Sequence, residues 1–154
     1  MVDIKKVINE KLGVRDSIEI ILTFGTKDIE ESWKKGEYGL ALLKAAISIE
    51  AVLTHHLTEF LASGKSDMVH NKLKKKIENW TLGKLIHWSE LCQIFNDSEI
   101  KMLEELKNER NDIVHRRGYI MQGKHDLKTR EKWENLINFA KNFIDKYGKV
   151  MIRQ

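Results

Sequence analysis

Apolar residues recur at three- and four-residue spacing through most of this chain, the period of helices that bury one face. The clearest stretch covers 37–62, where Leu43, Ala46, Ile47, Leu53, Leu57 and Leu61 form a stripe and Ser63-Gly64 supplies a stop signal. A shorter helix is predicted over 67–79, capped by Ser66 or Asp67, and another over 81–95, starting at Thr81. Asn96-Asp97-Ser98-Glu99 offers capping side chains for the next, which extends to 117 and is closed by Gly118. A glycine-containing loop follows through Gly123, and a last helix covers 126–147. Nearer the N-terminus, 4–12 reads as a short helix ended by Gly13. Residues 17–24 have the propensity of a strand, but a single short strand has no partner elsewhere, so helix is expected there too. With no proline anywhere, the pattern predicts an all-α fold, and 154 residues suit one domain spanning 1–154.

Two positions break the stripes. Glu50 falls within the apolar stripe of 37–62, and Arg110 falls among Leu103, Leu106, Ile113 and Val114, where the pattern calls for leucine. The two most apolar helices thus each carry one charge on the apolar face, and the charges are opposite. An unpaired buried charge costs several kcal/mol, roughly, so Glu50 is expected to approach Arg110 or His115. Such a pair is either a salt bridge that fixes two helices or part of a site. Asn111 and His115 tilt the choice toward a site, because a structural pair needs neither an extra amide nor a titratable imidazole. Arginine is a permanent cation with a fork of donors suited to phosphate oxygens. Histidine takes and gives protons near neutrality. Together they can hold a phosphodiester and move its protons without a metal.

Charge and composition permit this chemistry without demanding it. The net charge is +4, with hydrophobic residues at 42% and charged residues at 32%, a soluble balance that allows an RNA partner. A lone cysteine, Cys92, excludes an intramolecular disulfide and a multi-cysteine zinc site. The first residues lack the apolar core of a signal peptide, and no uninterrupted apolar run reaches bilayer length, so a cytoplasmic location is expected. Lys72, Lys74, Lys75 and Lys76 surround Leu73 in a run that is more often a solvated helix face than a nucleic-acid surface. His55 and His56 are adjacent and point about 100° apart, a poor arrangement for one metal. His70, His87 and His125 lack ligand-spaced acidic or thiol partners, and there is no phosphate-cradling glycine loop or serine nucleophile motif. No metal or cofactor is expected. Trp33, Trp80, Trp88 and Trp133 read as core or interface anchors.

Arg110 and His115 with four residues between them, and the polar Asn111 directly after the arginine, resemble the signature of the HEPN superfamily (higher eukaryotes and prokaryotes nucleotide-binding domains). Glu50 matches the acidic residue that this family often carries in an earlier core helix. Leu106-Lys107-Asn108-Glu109 and Thr81-Leu82-Gly83-Lys84-Leu85-Ile86 are also similar to such proteins, and the resemblance covers 37–147. It implies an antiparallel HEPN-like helical bundle with additional short helices and a core over about 37–147. It also implies a metal-independent endoribonuclease of the kind found in toxin–antitoxin, abortive-infection and CRISPR-associated systems. Active members generally form homodimers in which two signatures line one cleft. Other members are non-catalytic partners of nucleotidyltransferases or act in RNA processing, so a non-catalytic interaction domain is the alternative. An antitoxin or a nucleotidyltransferase-like protein is the partner implied.

On that reading His115 is general base or acid in attack by the ribose 2′-OH on the adjacent phosphorus, a role typically worth about 10²–10⁴-fold. Arg110 neutralises the non-bridging oxygens as charge builds. Asn111 orients His115 or donates to the phosphate, and Glu50 orients Arg110 or assists proton transfer. The products are a 2′,3′-cyclic phosphate and a 5′-OH end, and the route selects RNA because DNA lacks the 2′-OH. One histidine cannot conveniently serve both faces of an in-line reaction, which favours a C2 dimer. Arg116 and Arg117 either hold flanking phosphates or offset the charge of a helix C-terminus. Tyr119 either stacks on a base or packs in its loop. Asp112 brings a negative charge close to the proposed phosphate site.

Overall fold

Residues 25–115 and 127–148 are described by a computed structural model. They form α1 (Thr26–Lys34), α2 (Tyr38–Leu61), α3 (Asp67–Ile77), α4 (Leu82–Leu91), α5 (Asp97–His115) and α6 (Leu127–Tyr147), with no strand among them. The all-α expectation therefore holds for these residues. The elements expected at 4–12 and 17–24, the loop at 118–123, and Arg116, Arg117 and Tyr119 lie outside the described residues.

Local chemistry sets most of the boundaries. Gly36 and Gly64 adopt φ of +79° and +73° at the ends of α1 and α2, a conformation that side chains with a Cβ resist. The Ser66 and Thr81 hydroxyls accept from the backbone N–H groups of Val69 and Lys84 at 3.4 and 3.2 Å, capping α3 and α4. Ahead of α5, Asn96 Oδ1 accepts from the Glu99 N–H at 2.8 Å while the Asn96 N–H donates to Glu99 Oε1 at 3.2 Å, a reciprocal capping box.

Two boundaries differ from expectation. Helix α4 stops at Leu91 rather than at 95, because Gln93 takes φ of 54° and the Ile94 N–H turns back to the Ser89 carbonyl at 3.1 Å. No glycine marks this stop, so the sequence pattern runs past it. Phe95 is thereby released into the core, with ring centroids 5.0 Å from Phe143 and 4.9 Å from Tyr147. Helix α1 was not expected at all. Its buried residues are Ile29 and Ser32 in an otherwise charged stretch, too thin a stripe for periodicity to register.

Helix α2 packs against all five of the other described helices. It is long and apolar enough to cross a membrane by length and composition, but half of that window is buried against protein, which accounts for its composition. Its deepest residues include Leu42, Ala45, Ile49 and Val52 alongside Ala46, Leu53 and Leu57. Ile47, expected in the stripe, is exposed, and Leu43 and Leu61 are only partly buried. A helix surrounded on several sides buries a wide arc, and a single-phase stripe misplaces its centre. The core runs from Ile29 to Ile144 and so begins ahead of the expected residue 37. Helices α5 and α6 are antiparallel. Glu99 at the start of α5 meets Lys146 and Tyr147 at the end of α6, and Glu109 near the end of α5 meets Lys132 and Trp133 near the start of α6.

Candidate functional site

Helix α5 buries Ile100, Leu103, Leu106 and Ile113, and that rotation sets Arg110 on the flank beside α2. There Arg110 Nη2 lies 3.5 Å from Glu50 Oε1, while Nη1 donates to Asn111 Oδ1 at 3.2 Å. The expected meeting of the two opposite charges is thus found, and it joins Glu50 to Arg110. Their burial is not as expected: the side chains are 35% and 31% exposed for Arg110 and Glu50, so the pair lines the edge of the core rather than its interior. Val114, expected in the apolar stripe, is 45% exposed. It lies about 40° of arc from Arg110 and shares its outward flank.

Partial burial nonetheless acts on Glu50. Desolvation raises its carboxyl above the ordinary 4.5, and the nearby Arg110 cation pulls in the opposite direction. A carboxyl that holds its proton more tightly in the folded state loses stability as pH rises upward from 4.5 through the raised value. Glu50→Gln should therefore flatten the fall in thermal midpoint across that window. Thermal denaturation in a pH series checks this, and an unchanged slope would assign the dependence to other groups.

His115 is the last described residue of α5, exposed, and one turn beyond Asn111. Its side chain is exposed, and no described residue hydrogen-bonds its ring. Asn111, with its amide oxygen engaged by Arg110, retains an NH₂ group able to donate to an anion.

Glu109, immediately before Arg110, has a separate duty that sequence reasoning missed. Its carboxylate accepts from the buried Trp133 indole N–H at 2.9 Å and pairs with Lys132 Nζ at 2.5 Å, while only 14% exposed. The expectation of Trp133 as a core anchor holds, and Glu109 satisfies its polar edge. The hydrogen bond to Glu109 raises Lys132 above the ordinary lysine value, with further contributions from Glu105 and Asp112. Asp112 therefore belongs to an acidic stripe with Glu105 and Glu109 that acts on Lys132. It lies about 200° around the helix from Arg110, so its charge is directed away from the cluster.

The histidines of α2 and α3 serve packing. His56 Nε2 lies 2.7 Å from the Tyr147 carbonyl oxygen, and His70 Nε2 lies 2.9 Å from Glu59 Oε1, a partner that sequence spacing had not supplied. Among the described residues no group of three His, Cys, Asp or Glu side chains is placed to hold a metal ion. No protein-family model, curated protein or solved structure matches the chain.

Proposed function

We propose that this chain is a HEPN-type, metal-independent endoribonuclease that cleaves RNA by attack of a ribose 2′-OH on the adjacent phosphorus. The observation that carries this reading is the partly buried Glu50–Arg110–Asn111 cluster at the junction of α2 and α5, with His115 exposed one turn beyond it. A guanidinium has five donors, and the described contacts engage two nitrogens, so Arg110 keeps capacity for phosphate oxygens. Glu50 positions that guanidinium. His115 moves the proton of the attacking hydroxyl or of the leaving oxygen, and Asn111 donates to the phosphate.

A second copy related by C2 symmetry supplies the second histidine that an in-line reaction needs. Ile47 and Val114, each 45% exposed and one turn from Glu50 and Arg110, support such association by offering apolar contact at the rim of the cluster. Arg116, Arg117 and Tyr119 follow directly in sequence and contribute RNA contacts in this reading. The biological setting proposed is a cytoplasmic toxin or effector of a defence module, held in check by an antitoxin-like partner.

The test is an RNA oligonucleotide carrying a single 2′-deoxy nucleotide at the mapped cleavage position. Cleavage there should stop, while the unmodified RNA yields 2′,3′-cyclic phosphate and 5′-OH ends. Continued cutting at the modified position, with 3′-OH and 5′-phosphate ends, would contradict the reading.

A further inference from the structure

The outward side of α4 carries a ladder of four residues: Trp80 just before the helix, then Lys84, Trp88 and Leu91 at spacings that return to one face. Trp80 is partly buried and packs on the core, which fixes its ring. The Lys84 ammonium sits 4.5 Å over that ring, and the Trp88 ring lies 5.8 Å from it at an interplanar angle of 30°. Trp88 is 37% exposed and Leu91 is 60% exposed, so an indole and a leucine face water where a solvated helix ordinarily carries polar groups.

Charge is concentrated in the stretch of sequence that leads into this ladder. Residues 72–84 hold five lysines against one carboxylate, Glu78, a net charge equal to the +4 of the whole chain. Among the described residues no carboxylate pairs with Lys72, Lys75, Lys76 or Lys84. Helix α4 also packs against α5, the helix that carries Arg110, Asn111 and His115. A Cβ placed on Gly83 would lie 3.5 Å from Lys107 Cδ, and Lys107 is one turn ahead of Arg110 and Asn111 on α5. The Lys107 ammonium is paired with Glu104, so its contribution is the stem that makes the surface continuous.

We infer that Trp88 and Lys84, with Lys72, Lys75 and Lys76 of α3, form a binding track for single-stranded RNA that leads past Lys107 to Arg110. The choice of RNA rests on the ribonuclease reading. The exposed indole offers a π-face on which an unpaired base stacks, and the lysines follow the phosphates. A duplex keeps its bases stacked on one another and gives Trp88 nothing to stack on. A protein partner fits less well, because lysine is depleted in protein interfaces and this surface is rich in unpaired lysine.

The test measures binding of a labelled single-stranded RNA by fluorescence anisotropy, using the full chain in a His115→Ala background so that the RNA stays intact. Trp88→Ala should weaken affinity by about fivefold to a hundredfold, and Trp88→Phe should recover most of it. Lys84→Glu, at an exposed position, should weaken affinity and lower the dependence of binding on salt. Thermal midpoints confirm that each variant is folded. Affinity that stays within about twofold in both Trp88→Ala and Lys84→Glu overturns the track, as does a protein with no affinity for RNA. The two readings separate cleanly. Cleavage that depends on His115 while binding ignores Trp88 and Lys84 removes the track and leaves the nuclease. RNA binding that is lost in Trp88→Ala, from a chain that never cleaves, removes the nuclease and leaves the track.

Discussion

Arg110→Ala should lower RNA cleavage by at least about a hundredfold while shifting the thermal midpoint by only a few degrees. Removing one preorganised donor from developing transition-state charge typically costs about 10²–10³ in rate. The stability effect is small because the Glu50–Arg110 pair, at 3.5 Å, leaves about a third of each side chain in contact with water. Exposed ion pairs contribute roughly 0–1 kcal/mol, and about 1 kcal/mol moves the midpoint of a domain this size by roughly 2–4 °C. Had the pair been sealed in the core, loss of the arginine would orphan a buried carboxylate and cost roughly 3–5 kcal/mol. Activity and denaturation assays on the same preparation therefore separate a site from a strut. A large loss of stability with cleavage retained would show that Glu50–Arg110 is a packing device. Arg110→Lys refines the result, since lysine restores the charge but not the planar fork, and cleavage should recover only in part.

Trp133→Ala should have the largest effect on folding, about 3–5 kcal/mol. The indole, carried on α6, is 1% exposed and donates to Glu109 on α5. Its loss opens a large cavity and also strips one donor from a carboxylate that is 14% exposed and pairs with Lys132. Chemical denaturation measures the change, and a loss below about 1 kcal/mol would mean that neighbouring side chains close the cavity. Because Glu109 precedes Arg110, this clamp also fixes the last turns of α5. Cleavage by Trp133→Ala should fall even where the protein remains folded.

How much of this was legible in the sequence follows from where each signal resides. Caps are local, so Thr81, the Asn96–Glu99 box and Gly64 mark their boundaries within a few residues. Gln93 does the work of a glycine without being one, and the end of α4 was misplaced for that reason. The meeting of Glu50 and Arg110 was legible because two opposite charges in two apolar stripes have few alternatives. Its depth was not, since periodicity reports which positions share a face and not how far a neighbouring helix covers them. Ile47 and Val114 were misread for the same reason. The Glu109–Trp133 bond joins residues 24 apart on different helices, and nothing in the local pattern announces it. Trp80, Lys84 and Trp88 show their four-residue spacing in the sequence, but the exposure of Lys84 and Trp88 beside a ring held on the core required the packing of the bundle.

The proposed ribonuclease relies on a positioned arginine and histidine to cut RNA without a metal. The most direct measurement is cleavage of a mixed single-stranded RNA in EDTA by the wild-type chain, Arg110→Ala and His115→Ala. The wild type should give cyclic-phosphate products, and both folded variants should lose them. Equal background cleavage from all three proteins would contradict the ribonuclease reading.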